Sequence, residues 1–185
     1  MKEFNEQMER ESREIFGDRR VVFGDGKINA EIMLIGEAPG GEEEKQGRPF
    51  VGKAGKNLDE FLEIVGLERE DLYISNVVKI RPFKLSPKTN KPVNRPPDKA
   101  ELAFFVPLLH KEIELVNPKL IVTLGNFALK NVLMDQKVSI GDYHGKLTEK
   151  NGKRIFPLYH PASIIYDRAK APVYIEDLHK LREIL

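Results

Sequence analysis

An apolar run that stops abruptly at glycine and proline constrains this chain more than any other feature. Residues 32–35 read Ile-Met-Leu-Ile and are followed directly by Gly36-Glu37-Ala38-Pro39-Gly40-Gly41. A short apolar run bounded by glycine is typical of a buried strand, and the glycines and proline predict a tight turn at its carboxyl end. In open α/β sheets, that end of a strand is where ligands bind.

A second glycine-flanked segment, Gly47-Arg48-Pro49-Phe50-Val51-Gly52, places the ring of Phe50 in a loop. Apolar residues at helical spacing then predict a helix over about residues 54–65. Composition alone favours a plain strand–loop–helix unit. The combination of a strand-end carboxylate, Glu37, with a loop aromatic favours a binding site instead.

Composition excludes several classes of protein. The 185 residues are 41% hydrophobic and 32% charged, with a net charge of +1, so we expect one globular domain over residues 1–185 and only local basic surface. The chain has no cysteine, which excludes disulfides and cysteine-ligated metal or iron–sulfur sites. The amino-terminal segment lacks the apolar core of a signal peptide, and no apolar run approaches membrane-spanning length, so we expect a cytoplasmic protein with no membrane partner.

Further apolar runs at residues 72–78 and 120–124 predict two more buried strands. Asn151-Gly152 predicts a hairpin between residues 143–148 and 153–158. Helical patterns are predicted over about residues 2–16, 98–116, 126–133 and 173–184, with a turn at 24–26 and a short strand or extended arm at 21–23. This alternation predicts an α/β fold with a parallel sheet covered on both faces. Asp98 is the expected N-cap of the helix to residue 116, and Gly66 is expected to end the helix over residues 54–65.

Three polar residues follow or end predicted strands: Glu37, Asn76 and His160. Because the carboxyl ends of parallel strands share one edge of the sheet, we expect these side chains to meet there, joined by Phe50 from the first loop. Considered alone, Asn76 is better explained as a strand cap or a turn residue. Phe50 is also open to a core position, although Pro49 and Gly52 beside it argue against a periodic face. Glu37 has three open roles: ordering a water, holding the loop, or contacting a ligand. Residues 42–44, three glutamates, are predicted as a solvated helix start or a loop brace and not as a catalytic cluster.

A basic segment spans residues 79–99, with seven Lys or Arg residues, five prolines and a single acid, Asp98. A run of charge is usually a solvated face, but this one lies beside the predicted site and is stiffened by proline. We therefore predict that it contacts DNA phosphates. The candidate phosphate-binding residues are Lys79, Arg81, Lys84, Lys88 and Arg95.

The motifs Gly-Glu-Ala-Pro-Gly at residue 36 and Gly-Arg-Pro-Phe-Val-Gly at residue 47, with residues 73–79, 120–125 and 159–162, resemble those of the family 4 uracil-DNA glycosylases. The resemblance covers roughly residues 20–185, with the motifs in the family's order. It implies a three-layer αβα sandwich with a central, mostly parallel, four-stranded twisted sheet. It also implies an enzyme that removes uracil from DNA, with uracil-containing DNA as partner and free uracil as product.

The resemblance assigns roles to the strand-end residues. Asn76 would pair with O4 and N3–H of uracil, Phe50 would stack on the base, and His160 would donate to O2, where negative charge develops. Glu37, Asn76 and His160 are thus the expected catalytic residues. The expected substrate-binding residues are Gly36, Ala38, Gly40, Phe50, Asn76 and His160. Ala38 stands where better-known uracil-DNA glycosylases carry a water-positioning aspartate, so we expect a dissociative reaction with little activation of water.

Family 4 enzymes usually hold an iron–sulfur cluster on four cysteines. Ile80 and Phe105 stand at two of those positions, and the other two would lie among residues 11–19. We therefore expect no cofactor and no metal, with apolar packing in place of the cluster.

The segment after His160 is the expected wedge that enters the DNA stack. Ser163, Ile164, Ile165 and Tyr166 are its candidate residues, with Arg168 and Lys170 on phosphates. Ile164 and Ile165 are equally consistent with core positions. A related branch, family X, becomes linked to DNA through a loop histidine; Asn94 stands in the comparable area here, so we expect ordinary turnover.

Two other functions stay open at this point. Loss of the cluster cysteines and of the aspartate is consistent with a non-catalytic protein that binds damaged or single-stranded DNA. A generic nucleotide-binding protein is disfavoured because the glycine-rich turn lacks the lysine and spacing of a phosphate loop. We expect a monomer, and the sequence leaves a sliding-clamp partner open.

Overall fold

The computed structural model describes the backbone of residues 1–185 and every side chain except those of Ile165 and Tyr166. Its strands, in chain order, are β1 (Asp25–Gly26), β2 (Ile32–Gly36), β3 (Leu72–Asn76), β4 (Phe83–Leu85), β5 (Pro92–Asn94), β6 (Leu120–Leu124), β7 (Thr148–Lys150) and β8 (Lys153–Leu158). Its helices are α1 (Lys2–Phe16), α2 (Gly41–Gln46), α3 (Lys53–Val65), α4 (Lys99–Val116), α5 (Asn126–Leu133), α6 (Ile140–Tyr143), α7 (Pro161–Tyr166) and α8 (Ala171–Ile184).

Six strands form the main sheet, in the order β1-β3-β2-β6-β8-β7. The inner four, β3, β2, β6 and β8, are all parallel, which confirms the predicted central sheet. Short antiparallel strands extend it at both edges: β1 beside β3, and β7 beside β8. The predicted turn at residues 24–26 thus contains an edge strand, and residues 21–23 form an extended arm instead of a strand.

Helices cover both faces of the sheet, which confirms the three-layer sandwich. Because side chains alternate along a strand, Met33 and Ile35 pack with α1, α4 and α5 in one apolar cluster. Leu34, between them, packs with α3 and α8 in the other. Within the part of the chain that the structure describes, no helix has both the length and the apolar character needed to cross a lipid bilayer.

Local signals set several element ends as expected. Asp98 caps α4: its Oδ1 accepts from the Glu101 amide at 2.9 Å, while Glu101 Oε2 accepts from the Asp98 amide at 2.9 Å. Gly66 ends α3 in the left-handed conformation. The predicted strand at residues 143–148 begins only at Thr148, because α6 occupies residues 140–143. The segment 79–99 is also more ordered than a loop, since β4 and β5 pair as an antiparallel hairpin.

Candidate functional site

The carboxyl ends of the parallel strands open into a cavity of about 460 Å³, which we call the strand-end cavity. Asn76, the last residue of β3, lies in register with Gly36, the last residue of β2. His160 follows β8 by two residues. The cavity is lined by Ala38, Gly40, Gly41, Glu42, Glu43, Phe50, Gly52, Lys53, Ala54, Asn76, Asn94, His160 and Ala162. The predicted meeting of Asn76, His160 and Phe50 at one edge of the sheet is therefore what the structure contains.

Gly36 lets two of these side chains approach each other. A Cβ on this residue would lie 2.5 Å from Oδ1 of Asn76 and 2.5 Å from Cζ of Phe50. Any side chain at position 36 would displace one or both groups, so this arrangement of Asn76 and Phe50 requires glycine at position 36.

The backbone around Phe50 is held in an unusual conformation. Phe50 has φ of 53°, a left-handed value that costs a non-glycine residue energy. Arg69 Nη2 donates to the carbonyl of Phe50 at 2.8 Å and to that of Gly55 at 3.1 Å, and Arg69 Nε donates to Asp59 at 2.6 Å. A Cβ on Gly55 would lie 2.0 Å from the Phe50 carbonyl oxygen. The ring is thus presented to the cavity by a fixed loop.

Asn76 offers an amide without an internal partner. Its residue is only 3% exposed, yet no described residue hydrogen-bonds its side chain, which lines the cavity. Its backbone carbonyl accepts from Nζ of Lys79. The amide is therefore open to the cavity, where its donor and its acceptor can both pair with a ligand.

His160 has a defined proton arrangement. Its Nδ1 accepts from the backbone amide of Ala162 at 3.1 Å, so the proton of the neutral ring is on Nε2. Burial lowers the pKa of His160 below its ordinary value of 6.5, which keeps the ring neutral at pH 7. The ring lies nearly parallel to that of Phe50, with centroids 6.4 Å apart and an interplanar angle of 25°. Nε2–H is therefore a neutral donor beside an aromatic wall.

Glu43 braces the loop that forms the cavity rim. This residue is 8% exposed, and its Oε1 accepts from the amides of Val51 at 3.0 Å and Gly52 at 2.7 Å. Its Oε2 accepts from the amide of Gly40 at 3.1 Å. One carboxylate thus ties the first glycine turn to the Phe50 loop, which is the loop-brace interpretation of residues 42–44.

Glu37 is placed differently from the other predicted catalytic residues. It follows β2 and is half-buried, and burial raises the pKa of its carboxyl. It is not among the residues that line the strand-end cavity, whereas its neighbours Ala38 and Gly40 are. Gly36 does not line the cavity either, and it contributes by leaving room for Asn76 and Phe50 to approach each other.

The structure corrects the prediction that Lys79 contacts phosphates. Lys79 is 0% exposed, and its Nζ lies 2.6 Å from Oε2 of Glu112. The basic residues around Lys79 predict a surface position for it, but its partner Glu112 lies on α4.

Two more of the predicted phosphate-binding residues have internal partners. Arg81 donates to Asn94 at 2.8 Å and to Glu44 at 3.2 Å, and Arg95 donates to both carboxylate oxygens of Glu101 at 2.8 Å. Lys84 and Lys88 are exposed on the β4–β5 hairpin.

The segment after His160 forms α7. Ser163 uses its hydroxyl locally, donating to the His160 carbonyl at 2.7 Å. Ile164 is half-buried against the α3–α8 cluster, while Arg168 is exposed. Ile165 and Tyr166, the other candidate wedge residues, have side chains outside those that the structure describes.

Eight lining residues lie outside the predicted set: Gly41, Glu42, Glu43, Gly52, Lys53, Ala54, Asn94 and Ala162. Lys53 and Ala162 lie at the first turns of α3 and α7, and Asn94 reaches the rim from β5. Asn94 and Lys53 carried no signal beyond their positions in a motif or a basic run. In the part of the chain that the structure describes, no group of three or more His, Cys, Asp or Glu side chains could hold a metal ion.

Comparison with known proteins places the chain among repair enzymes. Residues 23–182 match the family described as the uracil DNA glycosylase superfamily. The type-4 uracil-DNA glycosylase of Sulfurisphaera tokodaii is 39% identical over 175 residues, 88% of this chain and 74% of that protein. Those of Saccharolobus solfataricus and Thermotoga maritima are 42% and 39% identical, over 90% and 89% of this chain and 77% and 83% of theirs. The likeness therefore extends over most of both chains.

Proposed function

The chain belongs to the uracil-DNA glycosylase superfamily, and we propose that it flips uracil out of DNA and hydrolyses its N-glycosidic bond. The products are free uracil and an abasic site. The observation that supports this most directly is the shared cavity of Asn76, His160 and Phe50, because these three groups together match the chemistry of one pyrimidine.

Asn76 reads the base. Its amide can accept from N3–H of uracil and donate to O4, and the absence of a hydrogen-bond partner among the described residues leaves both functions available. Cytosine presents an amino group in place of O4 and a bare N3, so it would oppose donor with donor and acceptor with acceptor. Phe50 supplies a stacking face, which contributes about 1–3 kcal/mol per base.

His160 stabilises the departing base. When the C1′–N1 bond breaks, its electron pair leaves with uracil and negative charge accumulates on O2. Nε2–H of a neutral ring, fixed by the Ala162 amide, donates to that oxygen. Such a donor is worth roughly 10²–10³ in rate.

The sugar becomes an oxocarbenium-like cation in this reaction, and water adds to C1′ with loss of a proton to solvent. Ala38 lines the cavity where a water-positioning carboxylate would be useful, and it offers no side-chain acceptor. DNA phosphates and the nearby carboxylate of Glu37 would stabilise the cation electrostatically. Glu37 acts from outside the cavity wall in this scheme, so its effect is smaller than that of Asn76 or His160.

We also propose that this chain works without an iron–sulfur cluster. Ile80 and Phe105, at two positions where the resemblance expects cysteine, are both 0% exposed and share one apolar cluster. Phe16, in the segment expected to carry the other two ligands, stacks on Phe105 with ring centroids 5.8 Å apart. These residues do not fit the cluster chemically, and their packing can join α1 to α4 instead.

The test is excision from a uracil-containing oligonucleotide, with alkali to cleave abasic sites. We expect product with the wild-type protein, and losses of at least about 10²-fold in single-turnover rate for Asn76→Ala and His160→Ala. Asn29→Ala, in the exposed turn before β2, and His179→Ala, on the exposed side of α8, are matched controls that should keep the wild-type rate. Binding of the oligonucleotide without abasic product would show a non-catalytic DNA-binding protein instead.

A further inference from the structure

A second cavity of about 300 Å³ lies between α3, α7 and α8, and we call it the α3–α8 groove. Its walls are largely apolar, with Phe61, Ile64, Pro161 and Ile164 among them. Nothing in the reaction described above uses this space. Ligand cavities are typically of this size or larger and combine apolar walls with a few polar groups.

Two residues that line this groove each carry a buried polar atom that has no hydrogen-bond partner among the residues the structure describes. The hydroxyl of Tyr174, a residue only 7% exposed, and Nδ2 of Asn57 are both buried without a hydrogen bond to any described residue. Both residues line the groove. Buried polar groups are normally paired. Two unpaired polar groups in the walls of one groove therefore point to a ligand that carries hydrogen-bonding atoms on its outer edge.

The α3–α8 groove adjoins the strand-end cavity. Ala54 lines the strand-end cavity and Asn57 lines the groove, three residues further along α3. Likewise, Ala162 of α7 lines the strand-end cavity, and the preceding residue Pro161 lines the groove. The lining residues Ala54 and Asn57 lie about one helical turn, roughly 5 Å, apart along α3, so the two spaces are close neighbours.

Charge at the groove suits a nucleotide. Exposed Arg168 lines it and can meet a phosphate, and exposed Glu60 offers an acceptor to the amino or imino group of a base. The orphaned amide of Asn57 and hydroxyl of Tyr174 can donate to ring nitrogens or carbonyl oxygens.

We infer that the α3–α8 groove receives the base next to uracil on the same strand when the DNA is single-stranded. This inference rests on the proposed function and adds a second base subsite to it. In a duplex the neighbouring base stays stacked, so the groove would contribute only where the strand is free to bend into it.

The experiment uses single-stranded oligonucleotides in which a tetrahydrofuran residue replaces the base on the 5′ or the 3′ side of uracil. We expect wild-type kcat/KM to fall roughly 5- to 100-fold for one of the two sides and to stay unchanged for the other. The Tyr174→Phe/Asn57→Ala variant should show at least a threefold smaller fall, while matching wild type on the tetrahydrofuran substrate.

Controls separate a subsite from a general effect. Tyr143→Phe removes a hydroxyl from a residue packed in the other apolar cluster and should leave the neighbour-base effect at its wild-type size. Tyr174→Phe should keep or raise the melting temperature, because it removes a buried group with no partner. If the double variant unfolds, Asn57→Ala alone provides the comparison.

Three outcomes would overturn the inference. One is a wild-type rate that is indifferent to the neighbouring base on both sides. Another is a neighbour-base effect of equal size in wild type and variant. If the wild-type protein excises no uracil from any substrate, the proposed function fails as well, whereas the first two results leave it standing.

Discussion

Nζ of Lys79 lies 2.6 Å from Oε2 of Glu112, and both side chains are essentially inaccessible to solvent. Lys79 also donates to Oγ of Ser75 at 2.7 Å and to the carbonyl of Asn76, while Tyr73 donates to Oε1 of Glu112 at 2.9 Å. This buried network connects α4 to the end of β3 and so anchors Asn76, whose amide we propose pairs with the base.

Removing one member of this pair should destabilise the protein severely. Glu112→Leu leaves a buried lysine without its counter-charge, and we expect a loss of about 3–5 kcal/mol in the free energy of unfolding. Adding Lys79→Met should recover part of that loss, because the buried charge is removed while the hydroxyls of Tyr73 and Ser75 still lack their acceptor. Urea unfolding of the two single variants and the double variant measures this coupling. Additive losses would show that the pair does not act as a unit.

Protonation of His160 should reduce both activity and stability in mild acid. Burial lowers the pKa of His160, so the folded protein binds this proton less readily than the unfolded chain. The stability that the neutral ring contributes is therefore present above pH 6.5 and is lost as the pH falls through the lowered pKa. Denaturant unfolding at pH 7.5 and at about pH 5 should show a larger loss in wild type than in His160→Gln.

The same titration predicts the pH dependence of excision. A proton on Nδ1 displaces the Ala162 hydrogen bond and releases the ring from its orientation. We expect single-turnover rates to be level around neutral pH and to fall by up to about tenfold per pH unit below the pKa of His160. His160→Gln should be slow but nearly flat over that range. A parallel decline in both proteins would assign the titration to another group.

Loss of the Glu43 brace should loosen the cavity rim. In Glu43→Gln, one amide nitrogen would face backbone amides that also donate, at a cost of about 1–3 kcal/mol in stability. We expect a raised KM for uracil-containing DNA, because the Phe50 loop is less well held. Glu63→Gln is the matched control, since Glu63 is exposed on α3 and does not line the strand-end cavity. Equal effects of the two changes would contradict a bracing role specific to Glu43.

The β4–β5 hairpin should supply electrostatic contacts through its exposed lysines. Lys84→Ala and Lys88→Ala should each reduce the slope of log affinity against log salt by about 0.7 on single-stranded DNA. Lys119→Ala is a suitable control, because Lys119 precedes β6 at the amino end of the parallel strands and pairs with Glu31. Fluorescence anisotropy at several salt concentrations makes the comparison. Unaltered slopes in both hairpin variants would place the DNA elsewhere.

Sequence patterns predicted the parallel strands, α4 with its Asp98 cap, and the meeting of Asn76, His160 and Phe50, because each depends on short-range signals or on the common direction of parallel strands. The burial of Lys79 was not predictable in this way. Its partner Glu112 is 33 residues distant and lies in a helix that reads as a plain amphipathic segment. Similarly, β5 begins at Pro92, a residue that argues against a strand unless it lies at an edge.

The polar groups of the α3–α8 groove were likewise not predictable from local sequence patterns. Tyr174 and Asn57 occupy ordinary helical positions, and their lack of partners exists only after α3, α7 and α8 have packed. Glu43 is an intermediate case: the sequence identified a possible brace within residues 42–44, and the structure selects the member whose oxygens reach three amides.

The strand order also has a consequence for how the substrate range can change. Asn76 ends β3 and His160 follows β8, the two outermost members of the parallel set, with β2 and β6 between them. The two backbone segments that carry the amide and the imidazole are therefore held apart by the strands between them. Neighbouring strands lie about 4.8 Å apart, and no side-chain replacement changes that spacing. Accommodating a larger base would therefore require moving the Phe50 loop, so a change of substrate range should first appear as changes in Arg69 or Glu43, which hold that loop.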